Sequence, residues 1–215
     1  MVAPPHPTVR GLLVWMQTNP GRLRELLAVQ AQGADDLAPA GDPAVRAHLG
    51  FVAEALAANA SPAAAPALEG FAAALPGLLA GREAQVDEHL QRIGETTAFE
   101  LGLQFGDEAS DDPSIRSMID RRMRIGAWTR VFLDALDEAR PGQPPIAGDV
   151  LAWMGERQAQ LADTIFAMDR RAKEGEIARG GPDAVASPEV VNQIGQAAML
   201  HAHTRFLVEG LAANL

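Results

Sequence analysis

The chain has 215 residues, 47% of them hydrophobic but only 5% aromatic, with a formal net charge of −10 and no cysteine. That length allows one sizeable core, the acidic balance disfavours nucleic acid and anionic lipid as partners, and the missing thiols exclude disulfides, thiolate nucleophiles and cysteine-bound zinc or iron-sulfur groups. Alanine supplies 41 residues, which suits close helix packing better than strands, so the expected class is all-α.

Residues 1–7 are expected to be extended or disordered. The N-terminus carries prolines where a signal peptide needs a charged region, and its apolar run from Gly11 to Met16 is too short for a signal core or a membrane span. The protein is therefore expected in the cytoplasm, without membrane attachment.

A capping residue followed by proline marks helix starts at Asn19-Pro20, Asp42-Pro43, Ser61-Pro62, Asp112-Pro113 and Ser187-Pro188. A first short helix is predicted over Thr8 to Gln17 and a second over Pro20 to Gln32, closed by Gly33. The third, Pro43 to Asn59, aligns Val45, Leu49, Val52 and Leu56 on one face, with His48 at its flank. Pro62 to Ala80 contains Pro66 and Pro76 and is expected to be broken.

Next comes a long helix from Arg82 to Phe105, followed by an acidic loop up to Asp112. The helix from Pro113 to about Arg140 places Ile115, Met118, Ile119, Ile125, Phe132, Leu133 and Leu136 on one side, and Pro141, Pro144 and Pro145 end it. A further helix from Ile146 to about Arg171 turns Val150, Trp153, Leu161, Thr164, Ile165 and Met168 inward, and Gly175 to Ala186 reads as loop. The last helix, Ser187 to Asn214, is apolar over most of its girth, with His201 on the arc of Val190, Ile194, Val208 and Leu211, and His203 on the opposite strip.

The expected architecture is a single domain over 1–215, a bundle of about seven helices around a central, largely buried C-terminal helix. If the chain divides, it divides into 8–80 and 81–215.

Four polar residues interrupt apolar stripes: Glu100, Arg122, Arg157 and His201. A buried charge costs several kcal/mol unless paired, so these four either satisfy one another or line a core pocket for a small anionic or carboxylate compound. His201 and His203 stand two apart and point about 200° away from each other on a helix, so they cannot share a metal. No HxxxH, ExxH or HExxH pattern occurs, and neither a metal nor a cofactor is expected. A mixed site joining His89, Glu100 and His201 is the one metal arrangement left open. The serines Ser61, Ser110, Ser114, Ser117 and Ser187 all fall in loops, caps or first turns, where structure accounts for them.

With no nucleophile set, phosphate loop or metal pattern, the leading expectation is a helical binding or protein-interaction module without catalytic machinery. Its partner would be another protein, or a second copy joined through the alanine-rich N-terminal helices. The alternative is an enzyme or ligand-binding protein in which Arg122 and Arg157 hold an anion and His201 or Glu100 moves a proton.

Overall fold

A computed structural model describes residues 9–32, 42–92, 113–185 and 187–215. Among them there is no strand, and the class is all-α as the composition implies. The helices are α1 (Val9–Thr18), α2 (Pro20–Gln32), α3 (Asp42–Ala58), α4 (Ala65–Ala80), α5 (described over 83–92), α6 (Pro113–Glu138), α7 (Ala147–Gly155), α8 (Gln158–Gly180) and α9 (Pro188–Asn214), with a 3₁₀ turn over Pro182–Val185. The expected count of about seven is thus too low for the described residues. The chain falls into two compact units, Met1–Ala147 and Gly148–Leu215.

In the first unit α3 is the enclosed helix, packed by α1, α2, α4 and α6. Val45, Leu49, Val52 and Leu56 are buried, as their spacing predicts, and so are Ala47, Phe51, Ala53 and Ala55 on its other sides. The ring of Trp15 on α1 packs 5.2 Å from that of Phe51. Phe71 on α4 meets Phe132 on α6 edge to face at 5.7 Å. Between α1 and α2 only Asn19 is non-helical, and its side-chain amide donates to the Trp15 carbonyl, satisfying a C-terminal acceptor of α1.

Four of the five capping signals stand at helix starts. At the fifth, Ser61-Pro62, the chain makes a turn and α4 begins at Ala65. Contrary to the expected break, α4 then runs continuously through Pro76, which lies on the exposed side where a lost backbone hydrogen bond can be met by water. The carboxylate of Asp137 caps α7, accepting from the backbone N–H of Ile146 at 2.9 Å and of Ala147 at 2.9 Å.

In the second unit the helix expected over Ile146 to Arg171 is two helices, parted by a turn at Glu156-Arg157 directly after Gly155. α8 then continues to Gly180, over the first part of the Gly175 to Ala186 stretch read as loop. The i,i+4 pairs Asp169–Lys173 and Arg170–Glu174 and the i,i+3 pair Glu176–Arg179 support it across Gly175. Gly181, with φ of 78°, closes it.

α9 packs on α8. It is buried only from Ala198 onward, and it belongs to the second unit while α3 holds the enclosed position in the first, which corrects the expectation of a central C-terminal helix. Among the described residues no helix is long and apolar enough to cross a membrane.

Candidate functional site

The buried charges of the first unit gather where α3 begins. Asp42, in the first turn of α3, is 6% exposed, and Arg46, one turn on, is 7% exposed. Both lie beside Trp128 of α6, which is 1% exposed. Arg124, one turn before Trp128, brings its guanidinium within 3.6 Å of the Asp42 carboxylate. The Arg46 guanidinium lies 5.5 Å from the Trp128 ring centre and pairs with Glu83 of α5 at 3.2 Å.

Burial pushes the Asp42 carboxyl above its ordinary range. The indole N–H of Trp128 and the charges of Arg124 and Arg46 oppose that shift, and Asp120 adds to it. Arg46 and Arg124 are thus matched around the tryptophan by three acids, Asp42, Glu83 and Asp120, the last 3.1 Å from Arg124, an arrangement that ties α3, α5 and α6 together and leaves no surplus positive charge for an incoming anion. Nearby, His48 is buried with its Nδ1 2.9 Å from the Ala44 carbonyl.

The four residues expected to form a core cluster are placed differently. Glu100 lies outside the described residues. Arg122 is exposed. The buried stripe of α6, traced back from Phe132, Trp128 and Ile125, meets Arg121 and Arg124, while Arg122 stands well off its centre. Arg121 is half-buried, and desolvation lowers its pKa. Arg157 sits in the turn between α7 and α8, 4.4 Å from the Trp153 ring centre, and donates to the Trp153 carbonyl.

His201 is exposed and His203 buried, the reverse of the expectation. The packed stripe of α9 runs through Met199, Ala202, His203, Phe206 and Gly210, and small residues let other elements approach there. A Cβ on Gly210 would stand 3.2 Å from both Trp153 and Val150. The surroundings of His201 desolvate it enough to lower its pKa, an effect that its exposed side limits. Arg122 belongs to the first unit and Arg157 and His201 to the second. Among the described residues no three acidic or histidine side chains are grouped to hold a metal ion.

A different feature stands out at the surface. Phe166 of α8 is 73% exposed and Ile177, on the same helix, 40%. Eleven residues make three turns to within about 20°, so both project from one face. The inward stripe read from the sequence had left Phe166 out, which was the available signal. Comparison of the chain with family models, with curated proteins and with solved structures finds no match.

Proposed function

We propose that this chain is a helical protein-interaction module without catalytic machinery, and that it binds through the exposed face of α8. The observation that carries the reading is Phe166, a large aromatic side chain left mostly in water with Ile177 three turns along the same face. A side chain of that size gains about 1.5–3 kcal/mol when fully buried, and large aromatic side chains seated in a partner's pocket are the residues that carry most of an interface's binding energy. The charged residues of the first unit support the same reading, since they pair with one another rather than converge on an open pocket.

Replacing Phe166 with a photo-crosslinking phenylalanine in the full-length chain tests this. A discrete adduct with another protein or with a second copy is expected, and it should disappear in Ile177→Arg. Equal crosslinking from a control position such as Glu156, or no adduct at all, would remove the reading.

A further inference from the structure

The exposed face of α8 has a pattern that goes beyond two apolar side chains. Ala159, Asp163, Phe166, Arg170, Lys173 and Ile177 follow one another at steps of 4, 3, 4, 3 and 4, the a/d spacing of a helix seam, and fall within an arc of about 80°. All but Lys173, which is half-buried, are exposed. α9 packs against α8 from the side of the buried Leu161 round to Asp169, which Gly195 approaches and which lies about 80° from the centre of the seam, next to the half-buried Lys173. Apart from its Lys173 edge, the seam faces away from its own unit.

We infer that the occupant of this face is a second copy of the same chain, with the two α8 helices paired antiparallel about a two-fold axis. The inference rests on the reading of this face as an interaction surface and adds the identity of the partner. Its ground is charge complementarity in one register. When Phe166 opposes Arg170 of the second copy, Asp163 opposes Lys173 and Ala159 opposes Ile177, and each layer recurs across the axis. The pairing thus has an apolar layer at each end, two ion-paired layers inside them, and two layers in which a guanidinium meets a phenyl ring at the centre. Lys173 already pairs with Asp169 of its own helix at 2.6 Å, which holds its ammonium near the seam.

Other registers lose this match. Sliding by one heptad so that Phe166 opposes Ile177 sets Arg170 against Lys173 twice, four cations at the axis that their own-helix partners Glu174 and Asp169 offset only in part, and leaves Asp163 without a cation opposite it. A slide the other way opposes Asp163 to Phe166 and leaves Lys173 and Ile177 without a facing layer. Parallel pairing in register stacks each charge on its own copy. Six layers span about 27 Å at 1.5 Å per residue. A seam that short is a small interface beside the roughly 1,200 Å² of stable complexes, so the dimer is concentration-dependent.

Sedimentation equilibrium of the full chain and of two charge reversals, Asp163→Lys and Lys173→Asp, tests the inference. Each variant alone should associate roughly tenfold more weakly than the wild type, because both ion-paired layers become like-charged. Mixing the two should restore wild-type association, since Lys opposes Asp in both layers of the mixed dimer. Because the chain has no cysteine of its own, the double variant Asp163→Cys, Lys173→Cys should form a disulfide-linked dimer on oxidation, and a variant that stays unlinked overturns the register. Reversals that leave association unchanged, or a mixture no tighter than its parts, would overturn the antiparallel pairing. A chain that stays monomeric at all concentrations overturns the second copy. In that case a crosslink from position 166 to a different protein preserves the interaction reading, and its absence removes both. Circular dichroism on each variant separates loss of pairing from loss of fold.

Discussion

The guanidinium of Arg124, on α6, comes within 3.6 Å of the carboxylate of Asp42, which is buried at the start of α3 near the indole of Trp128. Because burial raises the pKa of Asp42, the folded protein holds that proton more tightly than the unfolded chain does. The associated stability is present below the ordinary value near 3.8 and is lost as pH rises through the folded value. Asp42→Asn keeps the shape and removes the ionisation. Its stability relative to wild type should therefore increase from pH 3.5 to pH 7, as read from urea midpoints at the two pH values. A difference that is constant or falls over that range would contradict the burial argument.

Trp128→Phe preserves the ring contacts with α3 and takes away the N–H that favours the ionised carboxylate. The donor and the carboxylate are close without a formed hydrogen bond, so its loss should cost no more than about 1 kcal/mol, and because the N–H favours the ionised form the cost should grow from pH 3.5 to pH 7. Trp128→Ala removes the ring as well and should cost about 3–5 kcal/mol at either pH. Parallel denaturation curves for the two variants at both pH values separate the donor from the packing.

Arg22 of α2 grips Glu54 of α3 with two parallel hydrogen bonds, Nε to Oε2 at 2.8 Å and a terminal nitrogen to Oε1 at 2.8 Å, while also reaching Glu25. Arg22 remains 46% exposed, so water screens the pair. Glu54→Gln should cost no more than about 1 kcal/mol, and most of that should vanish in 1 M salt. A larger, salt-independent loss in thermal unfolding would mean that the pair acts as a buried one.

Fold class and helix starts were legible in the sequence because capping and proline geometry act locally: α2, α3, α6 and α9 begin where a capping residue precedes proline. Helix phase was less legible. Over α9 the apolar residues encircle the axis, so spacing alone could not decide whether His201 or His203 faces inward, and the deciding contacts come from Trp153 and Val150 near Gly210. The same holds for α6, where Arg124 is drawn inward by its pairing with Asp42, a residue whose cap role had accounted for it locally. The turn at Glu156-Arg157 carries no proline, and Gly155 alone is a weak stop signal. The residues read as inward on α8 do not include Phe166, which is exposed, but nothing further in the sequence singles it out as a surface feature.

Two helical glycines make opposite predictions. A Cβ at Gly50 of α3 would meet Leu26 at 3.7 Å, an ordinary contact, whereas one at Gly210 of α9 would stand 3.2 Å from Trp153 and from Val150. Replacing glycine by alanine inside a helix gains about 0.5–1 kcal/mol from reduced backbone entropy in the unfolded chain. Gly50→Ala should therefore stabilise by about that amount. At Gly210 the gain is offset because a bulky ring and a β-branched side chain must both shift, so alanine should come out near neutral or destabilising. Gly210→Leu, which drives further atoms into the same contact, should cost about 1–3 kcal/mol. Chemical denaturation of the three variants reads the ordering directly. Stabilisation by Gly210→Leu would show that α9 does not approach Trp153 closely, and destabilisation by Gly50→Ala would show that α2 and α3 pack more tightly than the Leu26 contact indicates.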